Sequence, residues 1–171
     1  MSYSIFFFFI LVLANPSHQA PDLVTTTCDQ TLYKDLCKSA LATAPKTDVK
    51  DAQSLAKFAL KMTSLNGGEI HKRITQLLTT NSDEFVKQCL TDCSTVYQDA
   101  IDQLEDSMVA LDTKAFNDVN TWVSAAMTVA QSCEDGFKGK QGAVSPLTDM
   151  NKRFGQLCSV SLAITNQAAK N

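Results

Sequence analysis

Ser82-Asp-Glu-Phe-Val-Lys-Gln-Cys-Leu-Thr-Asp-Cys-Ser-Thr-Val-Tyr-Gln-Asp-Ala-Ile-Asp-Gln-Leu-Glu-Asp-Ser-Met-Val-Ala-Leu111 is the stretch from which the fold of this chain can be read. Val86, Cys89, Leu90, Cys93, Val96, Tyr97, Ala100, Ile101, Leu104, Met108 and Leu111 recur at intervals of three and four, the repeat of one helical face. Ser82 offers an N-cap, and Asp83 and Glu84 place negative charge at the positive end of the helix dipole. The spacing predicts a helix over Phe85 to Leu111.

Downstream, Phe116, Val119, Trp122, Val123, Ala126, Val129, Ala130 and Cys133 fall on one side of a second helix, from about Thr113 to Glu134. A third begins with Ser145 as N-cap and Pro146 at the first helical position, then carries Leu147, Met150, Phe154, Leu157, Ser161, Ile164 and Ala168 at heptad spacing. Upstream, Asp48 to Thr79 shows the same period but is interrupted by Asn66-Gly67-Gly68. Two adjacent glycines cost about 2 kcal/mol against alanine in a helix interior, which leaves one kinked helix or two helices at a turn, the kinked helix being preferred. No alternating run long enough for a strand occurs, so the fold class is all-α: an up-down-up-down four-helix bundle over residues 47–171, preceded by shorter elements over 21–46. Its four helices measure about 22 to 30 residues, or roughly 35 to 45 Å.

The chain has 171 residues and a formal net charge of -3, which gives no broad attraction to phosphate backbones and argues against nucleic acid as a partner. Residues 1–20 carry no Asp, Glu, Lys or Arg, and Ile5 to Leu13 is an unbroken apolar run. It is too short for a membrane span and reads as a secretory signal peptide, cleaved after Ala14 or Ala20, so no membrane contact is expected of the mature chain. Export places the cysteines in an oxidising compartment, where disulfides form.

Chemistry-bearing motifs are few. His71 sits between charged neighbours, and there is no histidine pair, phosphate-cradling glycine loop or Gly-x-Ser-x-Gly elbow. Cys89 and Cys93 could offer two metal ligands, but further ligands are missing. Asp102 with Glu105 or Asp106 reads as a solvated helix face. The expectation is a protein without catalytic residues, metal or cofactor. A secreted helical signalling protein also fits the bundle.

Six cysteines allow many pairings. An antiparallel pair of helices turning near Leu111 to Thr113 would bring Cys93 and Cys133 level, a physically reasonable bridge. Cys89 and Cys158 would lie on diagonal helices at different heights, which makes a bridge between them improbable and leaves both as buried thiols.

Cys28-Asp-Gln-Thr-Leu-Tyr-Lys-Asp-Leu-Cys37, Cys89-Leu-Thr-Asp-Cys93 followed by Tyr97-Gln-Asp-Ala-Ile-Asp-Gln-Leu104, and Trp122-Val-Ser-Ala-Ala126 leading to Cys133-Glu-Asp-Gly-Phe137 together resemble the plant invertase and pectin methylesterase inhibitors, over essentially all of the mature chain. The resemblance implies an N-terminal helical hairpin on the bundle, bridges Cys28 to Cys37 and Cys93 to Cys133, and an unpaired Cys158; Cys89 stands outside the family pattern. It also implies a secreted inhibitor, in the apoplast or alternatively the vacuole, that blocks an enzyme's active-site cleft by stoichiometric complex formation, with invertase (β-fructofuranosidase) as the target and pectin methylesterase as the alternative. Some invertase inhibitors carry a Pro-Lys-Phe motif after the turn between the second and third bundle helices. That motif is missing here, its position falling on Phe116-Asn117-Asp118. Asp112, Lys114, Phe116, Asn117 and Asp118 are therefore the candidate target-binding residues, with Lys114 and Phe116 as an anchor pair of cation and aromatic. The competing reading makes Phe116 the first residue of a core stripe and Lys114 a solvated cation.

Overall fold

The computed structural model describes residues 22–45 and 47–170, and the segment expected to be a signal peptide lies outside them. These described residues form six helices in order: α1 (Leu23–Cys28), α2 (Lys34–Leu41), α3 (Ala52–Thr80), α4 (Glu84–Asp112), α5 (Phe116–Phe137) and α6 (Thr148–Ala168). Among the described residues there is no strand. The four long helices form the up-down-up-down bundle: α3 packs on α4 and α6, α5 packs on α4 and α6, and the pairs α3/α5 and α4/α6 lie across the diagonals. The α1–α2 hairpin lies against α3 and α6, and Gln167 of α6 donates to the Thr27 carbonyl of α1.

The core is filled by the helical stripes. Leu60, Ile70 and Ile74 of α3, Leu90, Tyr97 and Leu104 of α4, Val119 and Val123 of α5, and Phe154 and Ile164 of α6 are all fully buried. Burial of this apolar surface is the main driving force for assembly.

α3 runs unbroken through Gly67 and Gly68. At Gly67 the cost is offset by tertiary packing, because a Cβ there would stand 3.2 Å from both Ile101 Cγ1 of α4 and Phe154 Cε2 of α6. The missing side chain is what lets α3 approach both neighbours. Asp51 starts this helix with a capping box: its carboxylate accepts from Ser54 N at 2.7 Å while Ser54 Oγ accepts from Asp51 N at 3.0 Å.

All four bundle helices start away from their sequence expectation, α3 at Ala52 and not near Asp48. The cap of α4 is Asp83, not Ser82, since its carboxylate accepts from Phe85 N and Val86 N at 2.9 and 3.2 Å. α6 starts at Thr148, beyond Ser145-Pro146. Ser145 Oγ accepts from Leu147 N at 3.1 Å, closing a two-residue turn that competes with the helical alternative. α5 starts at Phe116, and its predecessor residues complete the C-cap of α4. Lys114 N donates to Leu111 O at 3.1 Å and Ala115 N to Ala110 O at 3.0 Å, the two bonds of a Schellman motif. Its left-handed position, commonly glycine, is Lys114 at φ 58°.

Disulfides join Cys28 to Cys37, closing the hairpin, and Cys93 of α4 to Cys133 of α5, with Cα atoms 5.5 and 5.1 Å apart. Cys89 and Cys158 are free and buried.

Candidate functional site

The α4–α5 corner is built by three elements. α4 delivers Asp112 in its last residue, the Schellman turn lifts Lys114 away from the bundle, and α5 presents Asn117 and Asp118 in its first turn. All four are exposed. Phe116 departs from them: it is half-buried and packs against the core, where it begins the apolar stripe of α5. The corner thus gathers the polar candidates and uses the aromatic largely for packing.

The N-terminus of α3 supplies partners that the local sequence does not reveal. Lys57 Nζ donates to both carboxylate oxygens of Asp112, at 2.7 and 2.6 Å, and Gln53 Nε2 donates to the Leu111 carbonyl at 2.7 Å. The Gln53 bond gives a second donor to the Leu111 carbonyl, which already accepts from Lys114 N. The Asp51 carboxyl is held below its ordinary value by the hydrogen bonds from Ser54, against a small opposing effect of burial, with Lys114 adding an attractive charge. Lys57, Gln53 and Asp51 lie far upstream of the corner. Only the antiparallel register of α3 and α4 brings them there, and the apolar period of Asp48 to Thr79 is the one sequence signal that could have located them.

The remaining candidates do not join this corner. Cys93, in the third turn of α4, and Cys133, four residues before the end of α5, lock these helices together toward the end away from the corner, and Cys28 and Cys37 lie in the hairpin. Cys89 Sγ donates to the Gly136 carbonyl at 3.4 Å, and burial followed by the charge of Asp92 pushes its thiol pKa up. Burial pushes up that of Cys158 as well, further. His71 Nε2 pairs with Ser94 Oγ at 3.0 Å between α3 and α4. Among the described residues no group of three or more His, Cys, Asp or Glu is arranged to hold a metal ion, and no helix is long and apolar enough to cross a membrane. Asp102, Glu105 and Asp106 point to solvent on α4.

This geometry offers a rigid, polar, solvent-exposed corner suited to contacting another macromolecule. The family model described as "Plant invertase/pectin methylesterase inhibitor" matches residues 22–164. A protein of Platanus acerifolia named "Putative invertase inhibitor" is 34% identical over 170 residues, covering 96% of this chain and 94% of that one. A pectinesterase inhibitor of Actinidia deliciosa is 30% identical over 163 residues, covering 92% and 88%. A crystal structure of a mutant form of a pectin methylesterase inhibitor from Arabidopsis superimposes with a TM-score of 0.72 at 28% identity, over 86% of this chain and 98% of that one.

Proposed function

Since the chain belongs to the plant invertase/pectin methylesterase inhibitor family, we propose that it is a secreted inhibitor, not itself an enzyme, that binds a plant invertase one to one and blocks its active-site cleft. The observation that carries the choice of invertase is the end-to-end similarity to the Platanus acerifolia protein. Inhibition by occlusion needs a surface that does not reorganise on binding, because ordering loops at the interface subtracts from affinity. The α4–α5 corner fits that need. Its backbone is closed by the Schellman bonds, Asp112 is clamped by Lys57, and the Cys93–Cys133 bridge ties together the two helices that carry it.

Lys114 is the corner's projecting group. A non-glycine residue in the left-handed region costs roughly 1 kcal/mol, and such strain is found preferentially where function needs a side chain in that place. Lys114, Asn117 and Asp118 make the polar contacts with the enzyme in this reading, and the aromatic face of Phe116 supports them from below.

A second reading, inhibition of pectin methylesterase, is favoured by the Actinidia and Arabidopsis similarities and by the lack of Pro-Lys-Phe at the corner. Titrating the purified chain into invertase and into pectin methylesterase, side by side, decides between them. The expected result is loss of invertase activity with an end point at one inhibitor per enzyme. Loss of pectin methylesterase activity alone establishes the second reading, and no loss of either at micromolar protein overturns both.

A further inference from the structure

The inhibitory corner leaves one polar chain of the molecule unused. Tyr97, fully buried on α4, donates its hydroxyl to Asn151 Oδ1 of α6 at 2.7 Å. Asn151 is 1% exposed and donates from Nδ2 to Glu134 Oε1 of α5, while Thr148 Oγ1 donates to Glu134 Oε2 at 2.9 Å. Burying a phenol and an amide is costly unless each is partnered, and apolar side chains of similar size would fill the same space without a network. The chain of bonds runs from the centre of the bundle to a half-buried carboxylate and fixes it there.

That carboxylate lines a groove of about 440 Å³ between α5 and α6. Gln131 and Glu134 border it from α5, Lys152 and Gln156 from α6, and Met127, Ala130 and Gly155 give it an apolar part. Tyr33 and Gln156 are shared with an adjoining depression of about 460 Å³ at the hairpin turn, where Lys34 and Asp35 also lie. The charged residues of the groove are Glu134 and Lys152, and those of the depression are Lys34 and Asp35, so each half is formally neutral.

We propose that the α5/α6 groove is a binding site for a neutral, hydroxyl-rich ligand, a short oligosaccharide. Sugar hydroxyls donate and accept at once, which matches walls that mix amides, a carboxylate and an ammonium. The ring of Tyr33 offers a flat apolar face for the C–H side of a pyranose, and Asn151 and Thr148 hold Glu134 in place before the ligand arrives. An anion would meet Glu134 and a cation Lys152. The volume falls in the range of a few hundred Å³ usual for small-molecule sites. Gly155 keeps the groove open: a Cβ there would stand 3.9 Å from Ala130 Cβ, an ordinary contact, so alanine fits and a longer side chain fills the cleft. Along α5, Ala130 lies roughly 20 Å from Phe116 by the helical rise, so the site is separate from the corner and does not rest on the inhibitory reading.

Such a ligand could be a free cell-wall fragment or a glycan on a glycoprotein, and amide NMR titration of the full mature chain separates these. The probes are neutral glucan, xylan and galactan oligosaccharides, a mannose-rich glycan released from protein, and an oligogalacturonide as the charged comparison. The expected result is saturable shifts at residues 131–134 and 148–159 and at Tyr33 with at least one neutral probe. Gly155→Leu and Glu134→Gln should each weaken that binding by about tenfold or more, while Gly155→Ala leaves it intact. A wall-derived probe acting alone assigns the first source, and the mannose-rich glycan alone the second. Shifts with the oligogalacturonide only, shifts unaffected by Gly155→Leu in a variant with wild-type circular dichroism, or no shifts with any probe at millimolar concentration overturn the proposal.

Discussion

Tyr97 and Asn151 stand on helices that do not neighbour each other, yet the phenol of one and the amide oxygen of the other are 2.7 Å apart. The bond crosses the bundle along its diagonal, beside the edge-on contact of Tyr97 with Phe154, whose ring centroids are 5.2 Å apart. Tyr97→Phe keeps the ring contact and strips Asn151 Oδ1 of its donor inside the core. The expected loss is about 1–3 kcal/mol, the desolvation cost of one unsatisfied buried acceptor, read as a lower urea midpoint at unchanged m-value.

The two adjacent glycines of α3 should respond in different ways to alanine. Gly68 has nothing within 4 Å of an added Cβ, so Gly68→Ala should raise stability by about 0.8–1 kcal/mol through helix propensity alone. At Gly67 the same gain is opposed by contacts at 3.2 Å with Ile101 and Phe154, both held in the bundle. Gly67→Ala should therefore be neutral or destabilising, and thermal melts of the two variants in parallel test the contrast.

Lys114→Gly separates stability from inhibition. Relief of the left-handed strain should stabilise the fold by about 0.5–1 kcal/mol. If Lys114 contacts the target enzyme, the same variant should inhibit more weakly. A variant that is more stable and inhibits equally well would remove Lys114 from the interface.

Acid should act on the helix starts. Asp51 and Asp83 both titrate below the ordinary carboxyl value of 3.8, Asp51 through its Ser54 bonds and Asp83 chiefly through Lys140. A depressed native pKa contributes stability that is complete above the unfolded value and is lost as pH falls through the native one. The melting temperature should therefore be insensitive to these groups from neutrality to about pH 5 and fall below about pH 4. Asp51→Asn together with Asp83→Asn should flatten that acid limb, as seen in melts across the pH series.

The Cys93–Cys133 bridge spans 40 positions and Cys28–Cys37 nine. On the chain-entropy model their removal costs about 3.9 and 2.7 kcal/mol, so replacing the first pair by alanine should lower the denaturation midpoint more than replacing the second.

The parts of this structure legible in the sequence are those governed by a periodic signal. The predicted α4 span from Phe85 to Leu111 locates its helix within a residue of each end, and the α6 heptads mark a face on which Met150 alone is not buried. Helix starts were less legible, because Ser82, Asp83 and Ser145 are all capping residues by type and only hydrogen-bond geometry selects among them. Gly67 read as a weakness because the cost of glycine is local, whereas its use, close approach to α4 and α6, is tertiary. The same holds at the corner: Lys114 and Asp112 are visible as residue types, but Lys57 and Asp51 enter only through the pairing of α3 with α4.

The bridge between α4 and α5 has a consequence for the life of this protein among hydrolases. The turn at residues 113–115, exposed at Thr113 and Lys114, lies inside the covalent ring that Cys93 and Cys133 close. A protease that cuts the turn opens the ring but releases nothing: both halves stay one molecule, with the broken ends still held by two packed helices. Such a clipped form would migrate as a single band until reduced, and only then divide in two.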